Sequence, residues 1–154
     1  MKDIKAIEVN ENVIKEFGKT WALVTARKKD GSFNMCTLSW GSIGVLWSKE
    51  VVTIYVKPIR HTDSFLFEDD YFTITFFDED HRSDLTLCGT KSGRDIDKIK
   101  ESNLEVIELE NGITYKDFKR VYLCNKIFLI LRKTRLIKLG FLVGNFFSIS
   151  STFL

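Results

Sequence analysis

Apolar and polar residues alternate along much of this chain, and this period of two predicts a protein built mainly from β-strands. The segments 21–27 and 32–40 flank Asp30-Gly31, a dipeptide typical of tight hairpin turns, so we expect them to pair antiparallel. Further strands are predicted at 51–57, 71–77, 104–109 and 118–130. Short helices are predicted at 63–69 with Thr62 as the N-cap, in a segment that ends at Gly89, and at 95–101.

Strands joined by hairpins and interrupted by short helices indicate a mainly β (α+β) fold, with an antiparallel closed barrel rather than a doubly wound α/β sheet. Closure hides the sheet edges that strands rich in aromatic and β-branched residues would otherwise expose. The 154 residues are enough for one sizeable core, and the thirteen phenylalanines favour a β-rich one. We therefore expect a single domain over residues 1–154.

Composition argues against several kinds of partner. The net charge is only +2, with basic and acidic residues interspersed, so neither nucleic acid nor a membrane is expected as a partner. The three cysteines, Cys36, Cys88 and Cys124, form no C-x-x-C pair, which argues against a metal site and a disulfide framework. The first residues lack an apolar signal-peptide core, so a cytoplasmic protein with reduced thiols is expected.

The segment 34–47 is the first candidate for a binding site. It begins as a strand and then meets Gly41 and Gly44, which are expected to bracket a turn where a ligand can approach the backbone closely. The hydroxyls of Thr37 and Ser39, with almost no charge around them, suit a flat, neutral molecule with polar edges. An ordinary strand and glycine turn is the alternative. The two faces of the predicted strand carry Met35, Thr37 and Ser39, and Cys36, Leu38 and Trp40, respectively.

Two further segments are candidate anion sites. Arg60 and Thr62 lie where a predicted strand ends and a predicted helix begins, so together with the helix N–H groups they form a candidate phosphate site. The alternative is a solvated arginine beside a routine helix cap, and the adjacent His61 is equally compatible with the surface. The segment 88–98 has two glycines, small hydroxyls and three cations, although its spacing is not that of a P-loop. Read by itself, such a segment is more often a flexible loop followed by a capped helix.

No catalytic residue is assigned. The chain has only two histidines, His61 and His81, and lacks the motifs of serine hydrolases, zinc proteases and dinucleotide-binding domains. Cys36 and Cys88 have no evident activating partner, so buried structural thiols are expected. If the protein is an enzyme, a bound cofactor supplies its reactivity.

In this order and spacing, the three segments resemble the flavin reductase-like, FMN-binding split-barrel proteins, in particular their flavoredoxin-type branch. The resemblance covers roughly residues 10–125. It implies a six-stranded split barrel that forms a homodimer, with FMN bound near the subunit interface. The motifs that carry it are NMCTLSWG at 34–41 with Trp47, VKPIRHT at 56–62 and GTKSGRDIDK at 89–98.

The resemblance also implies a set of cofactor-binding residues. The residues that would line the isoalloxazine ring and ribityl chain are Thr37, Ser39, Trp40 and Gly41. Those that would hold the phosphate are Arg60 and Thr62, and those that would close over the ribityl-phosphate end are Ser92, Gly93 and Lys98. Asn34, His61 and Gly89 complete the set. For Trp40, a buried position in the core is the alternative.

The function implied is electron or hydride transfer from NAD(P)H to flavin, as in an NAD(P)H:flavin oxidoreductase. A flavoredoxin-like carrier that retains FMN is the first alternative, and a barrel that binds ligands without redox chemistry is the second. The sequence contains no separate nicotinamide-binding motif, so it does not choose between them.

The resemblance stops near the carboxyl end, where residues 131–154 form an atypical tail. Lys138 is the only charge between 136 and 154, yet Asn145 and several hydroxyl residues make a membrane span improbable. We expect the altered end of a family member, with an improvised last strand and an exposed apolar patch. On that hypothesis, removing 132–154 does not lower solubility or stability.

Overall fold

The computed structural model describes the backbone of residues 2–4, 8–133 and 138–150, and the side chains of residues 8–127. The strands are β1 (Lys2–Ile4), β2 (Ala22–Arg27), β3 (Phe33–Leu38), β4 (Gly41–Leu46), β5 (Lys49–Val56), β6 (Tyr71–Phe77), β7 (Val106–Leu109), β8 (Gly112–Tyr115), β9 (Phe118–Lys133) and β10 (Lys138–Ser150). The helices are α1 (Val13–Lys15), α2 (His61–Glu68) and α3 (Arg82–Thr90). A π-helical turn at Glu16–Thr20 and a 3₁₀ turn at Glu79–His81 complete the described elements.

All the described strand pairs are antiparallel. The larger sheet has the order β3-β2-β6-β9-β10-β5-β4, with β1 paired to β10, and a second sheet contains β7 and β8. The expectation of a mainly β, antiparallel fold with short helices is therefore confirmed. The expected closed barrel of six strands is not confirmed, because eight strands of the described backbone join the larger sheet and no recorded pairing joins its end strands β3 and β4.

Two apolar cores lie on opposite faces of the strands, as the period of two requires. On β2, Val24 belongs to the first core and Leu23 to the second, and each is fully buried. Helix α2 covers the first core with Phe65 and Leu66. Helix α3 covers the second core, so the two helices meet β3 from opposite sides.

The predicted hairpin between β2 and β3 is confirmed. Gly31 has φ +85°, a conformation that a residue with a Cβ rarely adopts, and the strands pair from Ala22 with Leu38 to Arg27 with Phe33. The turn expected between Gly41 and Gly44 is wrong, because both residues lie within β4. The chain turns at Trp47 and Ser48, which both have positive φ as a two-residue hairpin loop requires.

Three helix predictions are also wrong in detail. Thr62 is not the N-cap of α2, since the helix begins at His61 with Arg60 as its cap residue. Gly89 does not end α3, which continues to Thr90. Residues 95–101 form successive turns rather than a helix. There the Asp97 carboxylate accepts hydrogen bonds from the N–H groups of Ile99 and Lys100, a local alternative to helical bonding.

The tail takes part in the large sheet. Strand β10 lies between β9 and β5, and its backbone pairs with β9 from Lys138 with Lys133 to Ser150 with Arg120. The tail therefore supplies a last strand, as expected from the sequence. Removing it would leave the facing edges of two strands unpaired, which argues against the expectation that its removal does not lower stability. Residues 134–137 and 151–154 lie outside the described residues, as do all the tail side chains. Among the described residues, no helix has the length and apolarity needed to cross a membrane.

Candidate functional site

The residues selected from the sequence meet at one cleft beside β3. Two adjoining cavities, of about 110 and 310 Å³, share Cys36, Lys57 and Arg60 as wall residues. The smaller cavity is also lined by Thr37, Leu38, Ser39, Trp40, Tyr55 and Val56. The larger one is also lined by Ile59, His61, Thr62, Gly89, Thr90, Lys91, Ser92, Gly93 and Lys98. Ten of the twelve predicted residues thus line the cleft, and the exceptions are Asn34 and Gly41.

Close packing between β3 and α3 positions the strand side of the cleft. The Thr37 hydroxyl donates a hydrogen bond to the carbonyl of Leu85 on α3. A Cβ at Gly89 would lie 3.0 Å from the Thr37 side chain, closer than ordinary van der Waals contact. Only glycine therefore allows α3 to approach β3 this closely. Gly89 is a packing residue, and its neighbour Thr37 is held with its hydroxyl hydrogen already donated.

The Trp40 side chain lies at the mouth of the cleft. It is 46% exposed, so the alternative of a core position for Trp40 is wrong. The Lys57 ammonium lies 5.2 Å from the centre of the ring, within the range of a cation–π contact. The preceding residue on this wall, Ser39, is half-buried. This end of the cleft therefore offers an aromatic face and a hydroxyl.

Gly41 supports this wall without lining the cleft. A Cβ at Gly41 would come within 2.7 Å of the Phe17 ring, which is itself buried in the first core. The Phe17 ring also packs edge-on against Phe76 at a centroid distance of 5.6 Å. Phe17 therefore presses on the backbone next to Trp40. Gly41 thus packs against the core, and its contact with a ligand stays a prediction.

The opposite end of the cleft is built by the start of α2. Arg60 precedes the helix, and its guanidinium donates a hydrogen bond to the carbonyl of Gly89 at the end of α3. Thr62 is 1% exposed, and its hydroxyl accepts a hydrogen bond of 3.0 Å from the Asn34 amide. Asn34 is itself 5% exposed, so this pair ties β3 to α2 beneath the cleft.

His61 contributes a polar atom without a protein partner in the described structure. Its Nδ1 atom is buried and makes no hydrogen bond to any described residue. Burial lowers the pKa of His61, and the nearby cations Arg94, Lys28 and Lys98 lower it further. The imidazole is therefore biased toward its neutral form at neutral pH. A buried, unsatisfied nitrogen at a cleft wall is a position where a ligand can supply the missing hydrogen bond.

The loop after α3 covers the same end of the cleft. Ser92 accepts a hydrogen bond from the N–H of Arg94 at 3.2 Å, which stabilises the turn. A Cβ at Gly93 would overlap the side-chain oxygen of Asn34, so glycine is required where the loop contacts β3. Lys98 is 5% exposed and donates hydrogen bonds of 2.8 Å to the carbonyls of Met35 and Cys88.

The charge of the cleft has one sign. Its lining residues, all in the part of the chain with described side chains, include Lys57, Arg60, Lys91 and Lys98 but no aspartate or glutamate. Sequence reasoning missed Tyr55, on β5, and Lys57, which directly follows that strand. Their alternation immediately before Pro58 was the available signal. All four cations line the larger cavity, and only Lys57 and Arg60 also line the smaller one, so an anion is attracted most strongly to the larger cavity.

The cysteines and the second histidine have structural roles. Burial raises the pKa of the Cys36 and Cys124 thiols, and it raises the pKa of Cys88 to about 11. Neutral thiols of this kind are poor nucleophiles, as expected from the sequence. His81 lies 3.0 Å from the buried carboxylate of Asp84, which also accepts a hydrogen bond from the N–H of Asn103.

Comparison with known proteins identifies the family. The family model described as the flavin reductase like domain matches residues 14–117. Flavoredoxin from Methanosarcina acetivorans has a similar fold, with 22% identity, a TM-score of 0.73, and an alignment that covers 96% of this chain and 76% of that chain. Nitrilotriacetate monooxygenase component B from Bacillus cereus is similar as well, with 20% identity, a TM-score of 0.71, and coverage of 96% of this chain and 80% of that chain. A third similar structure is FMN-binding protein from Thermus thermophilus with bound p-hydroxybenzaldehyde, with 16% identity, a TM-score of 0.73, and coverage of 98% of this chain and 82% of that chain. No curated protein sequence matches the chain.

The matched segment spans most of the chain and contains every residue that lines the cleft. This protein therefore belongs to the flavin reductase-like family, and the resemblance found in the three sequence segments is confirmed.

Proposed function

We propose that this protein binds FMN in the cleft and transfers electrons from NAD(P)H to the flavin. The observation that supports the proposal best is the change of chemistry along the cleft. Trp40 and Ser39 line only the smaller cavity, whereas the start of α2 and the cation Lys91 line only the larger one, and Arg60 lines both. FMN has the same asymmetry, since a neutral aromatic ring system and a phosphate dianion lie at its two ends. Membership of the flavin reductase-like family supports the same ligand.

At the phosphate end, Arg60 is the principal proposed ligand. One N–H of its guanidinium is held by the Gly89 carbonyl, which fixes the group, and an arginine carries five such donors. The N-terminus of the eight-residue helix α2 adds its partial positive charge. His61 and Ser92 line the same space, and His61 Nδ1 gains a hydrogen-bond partner if a phosphate oxygen or a ribityl hydroxyl reaches it.

At the ring end, Trp40, Ser39 and Thr37 are proposed to line the isoalloxazine. The exposed Trp40 ring provides a stacking surface, and the Thr37 oxygen remains able to accept a hydrogen bond from a ring N–H. Bound FMN would supply the hydride and electron chemistry of the site. The residues of the chain bind it, orient it and supply positive charge near its anionic end.

The test is a comparison of FMN with riboflavin, which lacks the phosphate. Arg60→Ala is expected to weaken FMN binding by roughly tenfold to a hundredfold, the value of a charge-assisted hydrogen bond, and to leave riboflavin binding nearly unchanged. Flavin fluorescence titration measures both affinities. Lys29→Ala is the matched control, because Lys29 is an exposed cation that does not line the cleft. Equal losses for both ligands in Arg60→Ala would refute the proposed phosphate site.

The carrier function is the second candidate, and the structural similarity to flavoredoxin from Methanosarcina acetivorans favours it. Stopped-flow oxidation of NADH and NADPH separates the two functions. Steady oxidation with free flavin as acceptor supports a reductase. Slow oxidation with retained FMN supports a carrier, and absence of flavin binding supports a barrel without redox chemistry.

We also propose a homodimer in a reducing, cytoplasmic compartment. The hairpin between β4 and β5 exposes Val45 and Trp47, which are 75% and 71% exposed in the single chain. Exposed apolar side chains of this size are typical of protein contacts. Sedimentation equilibrium measures the assembly, and Trp47→Ser is expected to weaken it. The three buried free thiols fit a reducing compartment.

A further inference from the structure

The ammonium of Lys98 is buried without a carboxylate partner among the described side chains. The residue is 5% exposed, and its two recorded hydrogen bonds go to backbone carbonyls at 2.8 Å each. A buried lysine is costly because its charge loses hydration, and burial lowers the pKa of Lys98 accordingly. Such a group is retained where its hydrogen bonds position something else.

The two carbonyls belong to different walls of the cleft. Met35 lies on β3, and Cys88 lies in the last turn of α3, where helical carbonyls lack partners within the helix. Lys98, ten residues after Cys88 in the sequence, therefore caps the C-terminal end of α3 with its ammonium. The same ammonium binds β3, so it joins the two elements. Because Lys98 ends the segment 91–98, its ammonium also closes this loop over the cleft.

Neighbouring contacts join the same elements. The Thr37 hydroxyl donates a hydrogen bond to the Leu85 carbonyl. Gly89 lies so close to Thr37 that a Cβ on Gly89 would be 3.0 Å from the Thr37 side chain. Gly93 contacts Asn34 on the other side of the lysine. On β3, the Met35 carbonyl that Lys98 binds lies between Asn34 and Thr37 along the chain. Removing the Lys98 ammonium would release the loop while leaving the rest of the β3–α3 packing intact.

We propose that Lys98 is a positioning residue, which holds the loop 91–98 and β3 at the separation that the cleft requires and does not contact the phosphate of the ligand. The proposal rests on the proposed flavin function and differs from the expectation that Lys98 closes over the ribityl-phosphate end. The geometry supports it because the ammonium is directed at two carbonyls inside the wall, whereas Arg60 and Lys91 have more exposed positions on the same cleft.

The test is Lys98→Met, which keeps the apolar stem and removes the donors. FMN and riboflavin affinities are both expected to fall by about tenfold, as for one lost buried hydrogen bond, with their ratio unchanged within twofold. Affinities are measured under conditions in which circular dichroism shows that the variant is fully folded. If Lys98 contributed to stability alone, the affinities under these conditions would be unchanged. Lys98→Gln keeps one nitrogen that can donate hydrogen bonds. Its flavin affinities are expected to lie between those of Lys98→Met and those of the parent. Lys29→Met is the matched control, because Lys29 is an exposed cation that lies outside this loop and does not line the cleft.

A selective loss of FMN binding in Lys98→Met would overturn the proposal in favour of a direct phosphate contact, and unchanged affinities for both ligands would overturn it entirely. Hydrogen exchange provides a readout without ligand. Lys98→Met is expected to speed amide exchange in residues 92–97 and at the end of α3, and unchanged exchange there would also refute the positioning role. If the parent protein binds no flavin while exchange responds, the proposed function fails and the structural part of the inference stands.

Discussion

The buried ion pair between Glu16 and Arg120 provides the most direct test of the energetics of this fold. Each residue is 4% exposed, and the Arg120 Nη2 lies 3.0 Å from the Glu16 Oε1. Arg120 Nη1 also reaches the Tyr122 hydroxyl at 3.3 Å. Glu16 begins the π-helical turn that carries Phe17, so the pair also supports the wall beside Gly41. The informative perturbation is Arg120→Met, which keeps an apolar stem and leaves the carboxylate buried.

The magnitude follows from what remains around Glu16. Breaking a buried ion pair costs about 3–5 kcal/mol, because an uncompensated charge is left behind. Here Lys119 Nζ lies 3.7 Å from the same carboxylate oxygen and compensates part of the charge. We therefore expect a loss near the lower limit, about 3 kcal/mol, and a fall in Tm of roughly 6–12 °C for a chain of this size.

The pH dependence has a definite sign. Burial raises the pKa of Glu16 above its ordinary value of 4.5, and Arg120 opposes this rise. Without Arg120 the folded-state pKa rises further, so the folded protein binds more protons than the unfolded chain between 4.5 and that pKa. Relative to the parent, the variant is therefore most stable below the Glu16 pKa of the unfolded chain. It loses this stability as the pH rises through the Glu16 pKa of the folded protein. The difference from the parent should be largest above neutrality and should shrink on acidification.

Urea unfolding at about pH 8 and about pH 5 measures this difference. The double variant Glu16→Gln, Arg120→Met should recover more than half of the loss, since it removes both charges. Lys116→Met is the control for an exposed pair, with Lys116 and Glu105 56% and 69% exposed, and should cost at most about 1 kcal/mol. The reasoning would be refuted if Arg120→Met and the double variant had the same free energy of unfolding and neither value changed with pH.

Four further predictions concern the cleft, the thiols and the tail. Trp40→Ala should change the free energy of unfolding by less than about 0.5 kcal/mol while weakening flavin binding, measured by urea unfolding and fluorescence titration; a large loss of stability would contradict the exposed position of Trp40. Gly93→Ala should displace Asn34 and weaken flavin binding more than Gly44→Ala, which meets open space, and equal affinities would contradict the role of this contact. The three buried thiols should react with a thiol reagent only on unfolding, and rapid modification of the native protein would contradict their burial and raised pKa values. Removing residues 138–154 should abolish cooperative unfolding because β10 lies between two strands, and a truncated chain that melts like the parent would contradict that placement.

The strands and the hairpin between β2 and β3 follow from local features of the sequence. Alternation of apolar residues determines which side chains of a strand share a face, and it correctly separates Val24 from Leu23 and Phe76 from Thr75. Asp30-Gly31 specifies its turn because Gly31 tolerates positive φ without steric cost. Arg60 was found for a similar reason, since its place between a strand and a helix is visible in the order of residues.

The tertiary structure decided features that depend on distant partners. Gly41 and Gly44 permit either a turn or a strand, and pairing of β4 with β5 selects the strand. The tail has an unusual composition, yet its backbone joins β9 and β5 because those edges require partners.

The same distinction applies to the site. Thr62, Gly89 and Lys98 were selected as ligand contacts, and all three line the cleft. Only the structure shows that they also contact Asn34, Thr37 and two backbone carbonyls, respectively. A sequence shows which residues carry hydroxyls and charges, because that is a property of each residue alone. Which of those groups are desolvated against protein and which remain open to a ligand is set by packing between elements far apart in the chain.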